Sequence, residues 1–363
     1  MDTPTIGSRV RALLERSGTT QRALAESVAM TTDALSRAIS GQRGFAAIEV
    51  ARIATELGVE VHWLITGEDD TQQLKVAARH DYDRGSRSYG NDTRAQDEHL
   101  LRDVRLAYRQ AFGDRHPSPT DLPTHLADVR EMLGDDWVRD FAQRLEDRLE
   151  VDVIRVEELG TAYSFWVLGR AVVALPDTAP WGRANFSLAH ELAHLVRRDH
   201  DDTPASRDAE NAANQFAAEL LMPVHLLREV EWDHVTAPEL GDLLWGLGVT
   251  TEALRTRLAW LRIEPHDLAT SWLALPTPTF LRKHAFPASR WTAVTERERL
   301  ARARRFPTAL TQVLEDGVAC GRVNPKTLAW VLGVPVDDLE VQPPQSASVS
   351  TDELATSLGL TLG

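Results

Sequence analysis

Apolar positions in the first 68 residues recur at helical spacing: Val10, Leu13 and Leu14, then Leu24 and Val28, then Leu35 and Ile39, then Ile48, Ala51, Ile53 and Leu57. Each run is too short to hold a helix alone, so the pattern predicts a compact set of short helices over 1–68, packed on one another. The corners fall at Ser17-Gly18, at Ala29-Met30-Thr31 and at Gly41-Gln42-Arg43-Gly44. From Thr66 to about Glu98 the chain turns polar, with Gly85, Gly90 and Asn91 and few apolar residues. Residues 69–98 therefore read as a linker, with some order around Leu74 to Ala78.

Helical spacing returns near Leu100 and again at Trp137, Val138, Phe141, Leu145 and Leu149. Strand-like runs follow at Val151 to Val156, Ser164 to Leu168 and Ala171 to Leu175, the last closed by Pro176. Strands between helices make 99–263 an α+β domain. After Pro265 the chain carries prolines at 276, 278 and 287 before further helices near Leu300 and Leu310, so 264–363 reads as a separate, mostly helical C-terminal region of unknown role. Arg297, Arg299, Arg302, Arg304 and Arg305 within it read as the solvated face of an amphipathic helix. The stretch from Gln342 to Ser350, rich in Pro, Gln and Ser, is expected to be flexible.

Composition narrows the class. With 363 residues, 43% hydrophobic and 26% charged, the chain is an ordinary globular protein long enough for several domains. No run approaches the ~18 apolar residues of a membrane span. The start, MDTPTIGSRV, lacks the apolar stretch and cleavage site of a secretory signal, and Cys320 stands alone, which excludes an intramolecular disulfide and a cysteine metal cage. A cytoplasmic protein with no membrane partner is expected. The net charge of -14 argues against wholesale nucleic-acid binding but leaves room for a small DNA-reading module.

The chemistry concentrates at Ser187-Leu188-Ala189-His190-Glu191-Leu192-Ala193-His194-Leu195, an H-E-x-x-H pattern in a helix-forming run. Residues four apart share a helix face, so His190 and His194 can offer two imidazoles to one ion, with Glu191 beside them as general base toward a bound water. Ser187 is placed to cap the start of this helix, and Ala189 and Ala193 allow close approach of another element. A catalytic zinc commonly takes three protein ligands. The next helix, from Glu210 to a stop at Pro223, supplies the third: Glu210, Ala213, Asn214 and Ala217 share a face. Glu219 lies on the opposite face at ~100° per residue, so Glu210 is the expected ligand. His200, within Arg197 to Asp202, reads as part of a solvated loop rather than as a second metal site. Zinc is the default for two His and one Glu, and manganese fits the same ligands.

Arg183 through His194, followed by Glu210 through Pro223 with its ANQFAAELLMP run, resembles the ImmA/IrrE family of metallopeptidases. Gly248-Val249-Thr250, Ala253-Leu254-Arg255 and Arg257-Leu258 look like a later helical element of that family, so the likeness covers roughly 125–263. It implies a zincin-like fold, with His190, His194 and Glu210 as ligands, Glu191 as base, and Arg183 and Phe186 supporting the helix from its N-terminal side. It also implies cleavage of a DNA-binding repressor protein, tied to stress-response or mobile-element genes. No motif identifies a transition-state stabiliser; Tyr163 and Arg197 are neighbours in sequence alone.

Thr20 to Val28 followed by Thr31 to Gly41 resembles the helix-turn-helix of phage-repressor-like (XRE) regulators. Such a module sets its second helix in the major groove. Thr32, Asp33 and Ser36 then face bases, while Gln21, Arg37 and Arg43 meet phosphates or base edges. Residues 1–68 hold seven Arg and no Lys against eight acidic residues, which keeps protein pairing open as the alternative use of this module. A homodimer would gather Arg22, Arg37 and Arg43 on one face.

The expected architecture is thus multi-domain: an all-α helix-turn-helix domain, an α+β zincin-like metallopeptidase domain and a helical C-terminal region. The expected function is a metal-dependent endopeptidase regulating transcription through a repressor substrate. The competing reading is a non-proteolytic regulator whose peptidase-like domain senses a ligand or partner.

Overall fold

The computed structural model describes residues 5–17, 19–57, 59, 61–67, 76–78, 81–83, 88–90, 93–113, 119–199 and 207–340. The chain divides into two compact units, Met1–Leu74 and Lys75–Gly363.

The first unit holds five short helices: α1 (Ile6–Ser17), α2 (Gln21–Ser27), α3 (Thr32–Ile39), α4 (Ala47–Glu56) and α5 (Val61–Thr66). Side-chain caps start two of them, with Thr20 accepting from the Ala23 amide and Thr31 from the Ala34 amide. Between α2 and α3 the chain turns at Ala29, whose φ is 56°. Val10, Leu13, Leu24, Val28, Leu35, Ile39, Val50, Ile53 and Leu64 close into one buried cluster, so no helix depends on its own propensity. Arg9, itself buried, ties α1 to α5 through its Nε, 3.0 Å from the Leu64 carbonyl.

In the second unit a four-stranded sheet runs in the order β1-β5-β6-β4, with β1 at Val76–Ala78, β4 at Val151–Val156, β5 at Tyr163–Val167 and β6 at Arg170–Pro176. β2 (Asp81–Asp83) and β3 (Ser88–Gly90) pair separately. β5 and β6 form a hairpin whose turn residues Leu168 and Gly169 have φ of 51° and 81°, the left-handed pair that a tight hairpin needs. β4 runs parallel to β6. The helices are α6 (Arg94–Phe112), α7 (Leu126–Leu133), α8 (Phe141–Leu149), α9 (Trp181–Arg197), α10 (Arg207–Leu221), α11 (Val224–Glu229), α12 (Ala237–Leu247), α13 (Thr251–Leu261), α14 (Asp267–Leu273), α15 (Thr277–Phe280), α16 (Trp291–Ala301), α17 (Thr308–Ala319) and α18 (Pro325–Leu332). Among the described residues, no helix is long and apolar enough to cross a membrane.

Two segments differ from their sequence reading. The polar stretch 69–98 holds β1, β2, β3 and the first turn of α6. Asp97 in that turn is buried: it accepts from the Tyr163 hydroxyl at 2.7 Å and the Gly160 amide at 2.9 Å, so a charged residue in a polar run serves the interior. The same helix carries Tyr108, whose hydroxyl donates to buried Asp152 on β4 at 2.6 Å; burial, and then that carboxylate, hold the phenol well above its usual range.

The C-terminal helices are not a separate part. Ala269, Leu273, Phe280, Leu281, Phe286 and Val294 lie in one core with Leu188 and Leu192 of α9, so their apolar faces complete the interior of the central domain. The prolines fall at helix starts, where a missing amide costs little, rather than at a domain border: Pro276 and Pro307 precede α15 and α17, and Pro325 opens α18. Arg155 on the outer strand β4 and Arg305 exchange two backbone hydrogen bonds, of 2.9 and 3.0 Å, which covers part of that sheet edge. Of the expected solvated basic face, Arg299, Arg302 and Arg304 are exposed, whereas Arg297 and Arg305 are half-buried. Arg297 stacks on the rings of Trp181 and Trp245 at 4.4 and 3.5 Å, and burial pushes it down to about 10. Arg305 pairs with Glu146 at 2.6 Å, and Arg304 lies over Phe306 and Trp330.

Gly182, at the start of α9, touches backbone. A Cβ there would sit 2.9 Å from the Val249 carbonyl carbon and 3.1 Å from the Thr250 nitrogen. Gly182→Ala is expected to destabilise the second unit by about 1–3 kcal/mol, read as a lower urea midpoint at unchanged slope. A midpoint equal to wild type would show that the α9 start yields without cost.

Candidate metal centre

Helix α9 begins after Pro180 and ends at Arg198, which adopts the left-handed conformation with φ of 57°. Ser187 is therefore a buried mid-helix residue and not its cap, because the helical run extends back through Trp181 to Pro180. Ala189 and Ala193 of α9 and Ala213 and Ala217 of α10 are all fully buried, and these small side chains let the two helices lie close together.

That approach brings three side chains to one point. His190 Nε2 lies 3.3 Å from Glu210 Oε2, His194 Nε2 lies 3.7 Å from Glu210 Oε1, and the two Nε2 atoms are 3.2 Å apart. All three residues are at least 98% buried. With ligands at ~2.0–2.1 Å, a tetrahedral ion separates its donor atoms by about 3.3 Å, so the observed spacings suit a single small cation. The donor set fits too, since two imidazoles and one carboxylate offer nitrogen and oxygen lone pairs of the kind zinc and manganese accept. Among the described residues, this is the one cluster of His, Cys, Asp and Glu whose donor atoms fall within 4.8 Å of one another.

A second layer orients these groups. With Nε2 turned to the cluster, the Nδ1–H of His190 donates to Asn214 Oδ1 at 3.1 Å, and Nδ1 of His194 faces Asp199 Oδ2 at 3.4 Å. Burial, and then the neighbouring His190, push His194 well below its usual value, which favours the neutral imidazole. Glu191, fully buried, accepts from Ser164 Oγ of β5 at 2.8 Å. Glu219, on the far face of α10, binds Arg130 and Arg257 and accepts from the Val224 amide at 3.4 Å, an arrangement that ties the end of α10 to α7 and α13.

Ser164, Asn214 and Asp199 have roles that spacing did not disclose. Asn214 shares the Glu210 face, which was the available signal; Ser164 reaches Glu191 from a strand 27 residues away and left none. Tyr163 points to Asp97, Arg197 pairs with Asp199 at 2.9 Å, and His200 lies outside the described residues. Phe186, one turn before His190, lines a cavity of about 600 Å³ with the exposed Arg183 and with Asn211, Asn214, Gln215 and Trp260.

In the first unit, Thr32, Asp33, Ser36 and Arg37 are exposed on α3 and Gln21 is half-exposed at the start of α2. Arg37 pairs with Asp33 at 2.6 Å. Arg43 is committed within the fold: its guanidinium donates to the Ala34 carbonyl at 3.0 Å and to Glu49 at 2.8 Å, and holds that carboxylate below its usual range.

Residues 147–259 match the family model Peptidase_M78, described as an IrrE N-terminal-like domain. The match supports kinship with the ImmA/IrrE family and points to a metallopeptidase-like domain. No curated protein and no solved structure gives a significant match to the chain.

Proposed function

We propose that the second unit is a metal-dependent endopeptidase, in which His190, His194 and Glu210 hold the ion and Glu191 is the general base. The observation that carries the reading is the buried convergence of these three donors beside a fourth, separately held carboxylate. A zinc ion in this site would supply Lewis acidity and lower the pKa of a bound water. The chain's own contribution is proton handling and orientation. Ser164 fixes one oxygen of Glu191, Asn214 sets the His190 tautomer, Asp199 sets a carboxylate near His194, and the buried setting strengthens each charge interaction. Manganese is the second candidate for the same donors.

The substrate class that the resemblance favours is a DNA-binding repressor protein. The test is incubation of zinc-loaded full-length protein with DNA-binding repressor proteins from its own genome, read by mass spectrometry of the fragments. A defined internal cut supports the endopeptidase. Stoichiometric metal with no cut shifts the account to a regulator whose peptidase-like domain senses a ligand or partner.

The first unit is proposed to bind DNA as a helix-turn-helix, through the exposed α3 face of Thr32, Asp33, Ser36 and Arg37 with Gln21 at the edge of α2. Arg43, held by Glu49 and Ala34, contributes less than its charge implies. Replacing Thr32 and Ser36 by Ala should cost ~1–3 kcal/mol of sequence preference, whereas Arg37→Ala should weaken binding to all sequences and lower the salt slope by about one. Fluorescence anisotropy at several salt concentrations checks both. No binding at low salt, even as a homodimer, transfers the module to protein pairing.

A chain beginning at Lys75 should keep the fold and metal capacity of the second unit. One beginning at Leu100 should not, because it lacks β1 and the buried Asp97. Equal thermal midpoints for the two would contradict this assignment of residues 75–99.

A further inference from the structure

Arg297, Arg304 and Arg305 line a cavity of about 660 Å³ together with Arg139, Arg144 and Arg155. Its walls come from α8, the outer strand β4, α9 and α16. Six guanidinium groups share this concavity with two carboxylates among the described residues, Asp140 and Asp147, in a chain whose net charge is -14. A local excess of one sign against the sign of the whole molecule is the arrangement that gathers a counter-charged ligand.

Two of the six are buried with donors to spare. Arg155 is 8% exposed; its Nη1 donates to the Leu300 and Ala303 carbonyls at 3.1 and 3.4 Å, and among the described residues its buried Nε has no hydrogen-bond partner. Arg305 pairs with Glu146 through Nη2, yet its Nε is likewise buried and without a partner there. Burial, and then the neighbouring Arg305, push Arg155 down to about 10, so these like charges work against each other. Buried charges in proteins are as a rule paired and fully hydrogen-bonded. An anion reaching both residues relieves the repulsion and meets the spare donors together.

The size and chemistry of the cavity narrow that anion. Small-molecule sites run to ~300–1,000 Å³, so this one has room for more than a single phosphoryl group. The guanidinium fork matches two phosphate oxygens at once, and every cation lining the cavity is an arginine. A duplex cannot follow the concavity to a residue as buried as Arg155. We propose that this cavity binds a small polyphosphate anion, a di- or triphosphate with or without an organic group, with Arg155 and Arg305 at its buried end and Arg139 at its exposed one. Phe141, Leu188 and Leu300 add apolar wall for the organic group where there is one. The site uses none of the metal cluster's donors, and it stands whether or not the second unit is a peptidase.

Calorimetric titration of the full-length protein at fixed ionic strength tests it, with orthophosphate, tripolyphosphate and adenosine triphosphate as probes. Tripolyphosphate should bind one-to-one and about tenfold or more tighter than orthophosphate. Equal affinity for the nucleotide assigns recognition to the phosphoryl groups alone, and tighter nucleotide binding adds the apolar wall; either supports the site. Arg155→Met should weaken tripolyphosphate about tenfold or more, as should Leu300→Glu, which sets a carboxylate at a residue that lines the cavity and is half exposed. Should Arg155→Met fail to fold, Leu300→Glu still decides. Arg228→Glu, exposed on α11 and outside the cavity, changes the net charge by more and should leave the affinity within about twofold. His194→Ala should also leave it unchanged, because the anion does not sit on the metal. Absence of saturable binding, orthophosphate as tight as tripolyphosphate, or an equal loss in Arg228→Glu or His194→Ala overturns the proposal. So does a DNA duplex that binds more tightly than tripolyphosphate and is weakened by the same cavity variants, which would make this face a nucleic-acid surface.

Discussion

Glu191→Gln is expected to lower kcat/KM for peptide cleavage by about 10²–10⁴-fold, the usual worth of a positioned general base, while metal content and thermal midpoint stay near wild type. The side chain is fully buried, and one of its oxygens accepts from the hydroxyl of Ser164, which can donate to the amide oxygen or accept from its nitrogen. The amide is isosteric, so packing between α9 and β5 survives. What disappears is the capacity to take a proton. Metal analysis, unfolding and cleavage kinetics on one preparation separate these effects. Unchanged cleavage removes Glu191 from the reaction, and loss of metal in this variant would make it a ligand.

Glu210→Ala and Glu219→Ala should fail in opposite ways. The first removes the carboxylate that lies 3.3 and 3.7 Å from the two imidazoles, leaving two imidazole donors. Its metal affinity should fall by more than the ~10–100-fold that loss of an outer partner costs. The second leaves those donors untouched but strips Arg257, which is 5% exposed, of its ion pair. Breaking a buried pair costs ~3–5 kcal/mol; with the Glu219 side chain 32% exposed, a smaller loss of about 1–3 kcal/mol of stability is expected, with metal affinity unchanged. Isothermal titration with zinc and urea unfolding of both variants decide it. The reverse ranking would place the ion on the wrong face of α10.

What could be read from sequence was what helices write locally. The four-residue spacing of His190 and His194, and the shared face of Glu210, Ala213 and Asn214, follow from one helical period, and the structure brings the donor atoms of α9 and α10 within reach of each other. The three strands before α9 were legible for the same reason, as β-branched runs between turn signals. Contacts that join distant segments were not. Ser164 is an ordinary strand serine until β5 is laid against α9. Asp97 sits among polar residues that suggest solvent, yet the hydrogen bonds it accepts from Gly160 and Tyr163 secure the loop and strand that lead to the site. Leu273 and Phe280 look like the private core of a C-terminal domain, because periodicity shows that a face is apolar and not which surface it meets. The amphipathic pattern around Leu300 puts Arg297 on a solvated face, and only the placement of Trp181 and Trp245 makes a stacked position available to it.

The central claim is that His190, His194 and Glu210 hold a divalent ion, and X-ray absorption at the zinc edge of the loaded, full-length protein tests it most directly. The account predicts a first shell of two imidazole nitrogens with oxygens at about 2.0–2.1 Å, no sulfur near ~2.3 Å, and loss of the imidazole signature in His194→Ala. A shell of oxygens alone, or a spectrum unchanged by that substitution, would contradict it.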